Sequence, residues 1–266
     1  MNPMYGAEWL DTAAGIVLVV VLWRFCRRSG MVGSQGLFAL ASLLFLIGMS
    51  PWMDQYARHS LWLHSWQSVL IHHMAPLLWM AALHPVCARQ PFCSAGKSSS
   101  LGTRATQSDR LLMVLLLLFT LLTWGWMLPA LHPLLMASAA LYALMKWLMA
   151  LSGVSLCFVV FFSRPHNHRW ISFTVIVPML LMGITLMLAR DLFSGYHTPL
   201  TATLPLPELL STGFSLPVSV DQRLAGFIFL ISALIYWAGE QITGLARLAP
   251  PARVAVGVSP NKRRYS

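Results

Sequence analysis

The residues of this sequence best suited to chemistry crowd one apolar stretch, LWLHSWQSVLIHHMAPLLWM at 61–80. His64, Ser68 and His72 recur at i, i+4 and i+8, so a helix places them on one stripe, with Gln67 beside His64. On an ideal helix His72 lies about 12 Å along from His64, and His73 points about 180° away from it. Met74 adds a thioether one step further on. Neutral imidazole binds copper and zinc, and thioether sulfur favours Cu(I). His64, His72 and His73 are therefore the candidate metal ligands, with copper ranked ahead of haem, for which an intramembrane histidine is also a suitable axial ligand. Two other readings stay open: hydrogen bonds between helices, and a proton relay. Lys146, in ALYALMKWLMALSG, is the other ionisable residue inside an apolar run. Its ammonium either reaches back to an interface or pairs with an acid such as Asp191 or Asp221. Met49, Met53, Met127 and Met136 are core fillers or a copper relay. No HxxxH or CxxC pair closes a metal site within one segment. No Ser–His–Asp array, phosphate loop, HExxH or paired-carboxylate motif points to an enzyme.

The elements that must position these groups follow from composition. Of 266 residues, 57% are apolar and 10% charged, against about 25% charged in a soluble domain. Lipid is the solvent such a chain requires. Apolar runs near 9–26, 36–53, 61–87, 111–131, 138–162, 171–190 and 222–246 are each long enough to cross a core of about 30 Å. They do not alternate as barrel strands would. The expected fold is an all-α integral membrane bundle of about seven transmembrane helices over 1–247, followed by a basic tail at 248–266. The N-terminal segment MNPMYGAEWLDTAAG has no basic region before its apolar run, unlike a cleavable signal peptide.

Charge sets the orientation. With the N-terminus outside and the C-terminus cytoplasmic, 14 of the 18 Lys and Arg fall on the inner side, and only Arg58, Arg190 and Arg223 fall outside. That asymmetry follows the positive-inside rule. It also accounts for the net charge of +10 through topology, so no nucleic acid is expected. Glu8, Asp11, Asp54, Asp191, Glu208 and Asp221 lie on the outer side and leave it net negative, which modestly concentrates cations there. The four cysteines form no CxxC pair, and three of them lie toward the inner side, which argues against a disulfide framework. Residues 88–110 read as a flexible basic linker, and 191–221 as a Pro- and Thr-rich outer loop.

Three segments together resemble the CtaG-type cytochrome c oxidase assembly family, associated with caa-type oxidases. They are His64-x-x-Gln67 followed by Ala75-Pro76-Leu77-Leu78; Pro178 to Gly183 continuing to Asp191–Tyr196; and Asp221-Gln222-Arg223-Leu224-Ala225-Gly226, similar to the family's DQxxAG element. The resemblance runs from about residue 35 to 240. It departs at Ser68, where the family has a histidine after the glutamine, and at Tyr142 and Lys146, where a second histidine pair falls. The resemblance implies a multi-pass bacterial inner-membrane factor that helps load copper into the oxidase's CuB centre. Its partners would be an oxidase subunit or a copper donor protein, with no bond-making catalysis. The implied pocket lies between the third, fifth and seventh helices. His64 and His72 would be ligands, Gln67, Ser68, Met74, Tyr142 and Lys146 would line it, and Asp221 and Gln222 would cap it or orient a ligand. A transporter of copper or a small solute, or a haem-binding subunit, are the alternative functions.

Overall fold

The computed structural model describes residues 3–87, 101–162, 168–193 and 216–248. These are helical, with no strand among them. The Pro- and Thr-rich part of the outer loop, the tail, Cys93 and the side chains of Cys87 and Glu240 lie outside the described residues. The helices are α1 (Pro3–Arg28), α2 (Gln35–Gly48), α3 (Pro51–Ala57), α4 (Leu61–Ser68), α5 (Ala75–Cys87), α6 (Leu101–Gly125), α7 (His132–Ala137), α8 (Ala139–Phe162), α9 (His168–Leu188) and α10 (Val218–Leu248), with a π-helical turn over Val69–Met74 joining α4 to α5.

Among the described residues, three helical segments, Trp9–Arg28, Ala139–Cys157 and Val218–Gly239, are long and apolar enough to cross a membrane, and the bent pair α2–α3 makes a fourth when its two helices are taken as one span. Their outward faces are apolar: Val17, Val21, Phe25, Leu144, Leu151, Phe227 and Leu234 are exposed. A soluble protein rarely shows so large a continuous apolar surface, whereas lipid solvates it. The chain is a membrane protein.

The apolar runs of the sequence fall in these helices, with three differences. The 36–53 run is two helices, bent by 53° between Gly48 and Pro51. Pro51 has no N–H to continue α2 and instead opens α3, where Ser50 caps the Met53 N–H. The linker read as flexible over 88–110 is shorter, because α6 begins at Leu101. The 61–87 run is interrupted by the π-turn, in which the Ala75 N–H reaches the Leu70 carbonyl five residues back. Pro76 follows directly. Its ring would crowd the carbonyl four residues earlier, that of His72, and the widened turn relieves that conflict.

Glycines set two close approaches. A Cβ at Gly226 would lie 2.6 Å from the Gly183 carbonyl oxygen, and one at Gly183 would lie 2.8 Å from the Gly226 oxygen. Helices α9 and α10 thus touch backbone to backbone, the packing that small residues permit in membranes. At Gly153, a Cβ would collide with the His72 carbonyl, so α8 lies directly against the π-turn. Around these contacts Phe45, Trp79, Phe119, Tyr142, Met145, Met149 and Phe229 form one buried core.

Candidate functional site

Three polar clusters interrupt that core. The first is ionic. Lys146, one turn beyond Tyr142 on α8, is fully buried. Its Nζ lies 2.6 Å from Asp54 Oδ2 and 2.8 Å from Asp11 Oδ2. Neither the interface reach nor the pairing with Asp191 or Asp221 expected from sequence is realised. Asp191 is exposed, and Asp221 is committed to another helix. Lys146 faces inward because α1 and α3 both bring a carboxylate to the same side of α8, which the apolar pattern of α8 does not reveal. Asp11 also accepts from Trp147 Nε1 at 2.8 Å. Gln67 completes the cluster. Its Nε2 donates to Asp54 Oδ1 and to the Gly48 carbonyl at 2.8 Å, while its Oε1 accepts from the Tyr142 hydroxyl. The Arg58 guanidinium lies 4.7 Å from the centre of the Tyr142 ring. Asp11, Asp54, Arg58, Tyr142 and Lys146 line a narrow, partly enclosed cleft with room for about one water molecule.

The second cluster is a pair of imidazoles at the same end of the bundle. The rings of His64 and His132 are 5.1 Å apart, centre to centre, and Tyr142 lies 6.0 Å from His64. His64 is 1% exposed, yet neither ring nitrogen has a hydrogen-bond partner among the described residues. A buried polar group left so requires an explanation, such as an ion that it serves. His132 lies outside the apolar runs, just ahead of α8. Its Nδ1 is 3.0 Å from the Trp126 carbonyl. A carbonyl only accepts, so Nδ1 carries the proton and Nε2 keeps the lone pair that a metal would use. Burial pushes the His132 pKa down to about 4, against the opposing effect of the Trp126 hydrogen bond. Sequence reading missed His132 because it sits in a Pro-containing connection with no periodicity. Its only signal was a histidine beside Pro133 at the end of an apolar run.

The third cluster is His72 and His73, with rings 4.6 Å apart and both against Phe119 of α6. Here the π-turn changes the reading. It turns less per residue than an α-helix, so His73 swings round beside His72 and does not oppose the stripe. His72 Nε2 is 2.9 Å from Ser152 Oγ, which itself donates to the Met149 carbonyl at 3.0 Å. The Ser152 oxygen therefore accepts, and His72 carries its proton on Nε2. Both ring nitrogens of His73 are buried without a hydrogen-bond partner among the described residues. Ser68 donates to Met149 Sδ at 3.7 Å, and Met74 is half-buried. His64 is thus grouped with His132, and His72 with His73. Among the described residues, no set of three His, Cys, Asp or Glu side chains is arranged to hold one metal ion. Met49, Met53, Met127 and Met136 are buried, and so are the thiols of Cys26 and Cys157.

Asp221 and Gln222 join helix ends. The Asp221 carboxylate accepts from Ser60 Oγ at 2.9 Å, the Leu61 N–H at 2.8 Å and the Trp62 N–H at 3.0 Å. A residue of α10 therefore caps the N-terminus of α4, whose own N-cap Ser60 makes no side-chain cap. Gln222 accepts from the Leu192 N–H and donates to the Leu186 and Ala189 carbonyls, closing the C-terminal end of α9. With Gly226 on Gly183, the segment from 221 to 226 is the joint between α4, α9 and α10.

A helical membrane bundle with a buried ion network and paired histidines near one end is the class that these features define. The model of the cytochrome c oxidase caa3 assembly factor family matches residues 16–240, and the chain belongs to that family. No curated protein and no solved structure matched the chain. The matched region includes every residue of the three clusters except Asp11.

Proposed function

We propose that this chain is a multi-pass protein of the bacterial inner membrane that assists cytochrome c oxidase assembly by handling copper for the CuB centre. It would span the membrane seven times, with the N-terminus outside and the C-terminus in the cytoplasm. The family supports the assembly role, and the distribution of Lys and Arg supports the orientation. In that orientation the His64–His132 pair lies at the outer end of the bundle, where copper arriving from outside the cell would be met.

The observation that carries the copper reading is the buried imidazole of His64, without a hydrogen-bond partner among the described residues, facing a second imidazole whose Nε2 keeps its lone pair because Nδ1 donates to the Trp126 carbonyl. Two neutral nitrogens suit a soft monovalent ion of low coordination number. The His72–His73 pair, about 12 Å deeper by helix rise, would be a second station. Copper here is cargo, received from a donor protein and passed to an oxidase subunit. No catalytic step is assigned to the chain.

The test is elemental analysis of protein purified in detergent after growth with copper. About one copper per chain, lost in His64→Ala and His132→Ala, is the expected result. Equal copper in the wild type and both variants would overturn this site, and copper lost only in His72→Ala would move it to the deeper pair.

A further inference from the structure

The ionic cluster has a different chemistry from the imidazole pairs. Two carboxylate oxygens, Asp11 Oδ2 and Asp54 Oδ2, converge on one ammonium within 2.8 Å. Oxygen donors of this kind suit hard cations, which complete their shells with water. A small cleft, lined also by Arg58 and Tyr142, adjoins this position, and Asp11 at its edge is partly exposed. Gln67 Oε1 is held by Tyr142 and Gln67 Nε2 by Asp54 and Gly48, so the Asp54 carboxylate is fixed in place whatever cation it faces. By formal charge, Asp11 and Asp54 are balanced by Lys146 and Arg58. With the amine in place, a metal cation entering the cleft meets no net negative charge and finds both inner oxygens occupied.

We propose that Lys146 is a tethered counter-cation. Its ammonium fills a two-carboxylate cation site between α1, α3 and α8, and thereby closes that site to hard divalent metal ions. Removing the side chain leaves one net negative charge, two preset oxygens and the space that the side chain filled, which together take up a divalent cation with water as the remaining ligands. Lys146 is thus a selectivity residue. The proposal concerns oxygen ligands and stands apart from the copper reading.

Mn2+ is the probe, measured by electron paramagnetic resonance on full-length protein in detergent. The wild type should leave Mn2+ free at millimolar concentration. Lys146→Ala should bind one Mn2+ per chain, with affinity raised by roughly tenfold or more, and its unfolding temperature should rise with Mn2+. The double variant Asp54→Asn/Lys146→Ala should lose both effects. Lys146→Gln keeps the length of the side chain and removes its charge, so it serves if the alanine variant is poorly folded, and it too should gain Mn2+ binding. A folded variant that binds Mn2+ no better than the wild type overturns the proposal. So does a wild type that binds Mn2+ as well as the variants. If neither variant is recovered folded, recovery on adding Mn2+ during purification supports the proposal, and continued loss overturns it by showing that a free cation cannot replace the ammonium.

Discussion

Replacing Asp221 should unfasten α4 from α10. The carboxylate serves Ser60 Oγ and the N–H groups of Leu61 and Trp62, the first two amides of α4 and two of the donors that a helix start leaves unpaired. Losing a cap costs about 1 kcal/mol. Hydrogen bonds to a charged group contribute about 1.5–3 kcal/mol, and an anion near a helix N-terminus adds up to about 2 kcal/mol when partly buried. These terms overlap, so Asp221→Ala should lose about 3 kcal/mol. Asp221→Asn should lose less. Oδ1 accepts from both Ser60 and Trp62, so an amide oxygen kept there preserves two of the three bonds, and only the Leu61 N–H faces an NH2 group. The assay is reversible unfolding in mixed micelles with a denaturing detergent, followed by tryptophan fluorescence. Copper content of the folded fraction should not change, because the carboxylate is spent on α4. A loss below about 1 kcal/mol in Asp221→Ala, or an Asn variant as damaged as the Ala variant, would refute the capping account. Copper lost from a fully folded variant would place Asp221 in the metal site.

Other outcomes follow from the same geometry. Gly226→Ala places a methyl group 2.6 Å from the Gly183 oxygen, and it should cost about 1–3 kcal/mol by forcing α9 and α10 apart, read in the same unfolding assay. His132 titrates near 4 when folded and near 6.5 when unfolded. The unfolded chain therefore takes the proton first, so stability is full above about pH 6.5 and falls by up to about 3 kcal/mol as the pH drops toward 4. His132→Gln should flatten that part of the pH profile, and an unchanged slope would contradict the burial argument. Topology reporters fused after Arg28 and after Ser266 should both report the cytoplasm, and a periplasmic signal at either would reverse the proposed orientation. His64→Ala should abolish copper, while the cavity left by its ring costs about 2–4 kcal/mol; copper retained in the folded fraction would make His64 structural.

The sequence by itself determined the solvent of this protein and the places where its helices run. Both depend on apolar composition summed along the chain, a local property. It also marked His64, Gln67 and Lys146 as residues that need partners, because a polar group in an apolar run is conspicuous, while Tyr142, Asp221 and Gln222 were marked by the resemblance to the family. Who the partners are was decided by tertiary structure. Lys146 meets Asp11 and Asp54, which are far from it in sequence and lie on two other helices, so no spacing could relate them. His132 joined His64 through the packing of a short connection, and Asp221 turned to an amide terminus 159 to 161 positions away. The π-turn before Pro76 turned His73 from the side opposite His64 toward Phe119, where it lies beside His72, because a widened turn shifts the angular register along the helix. Period and charge act along the chain and could be read there, whereas the polar pairings depend on distances across the bundle that only its packing fixes.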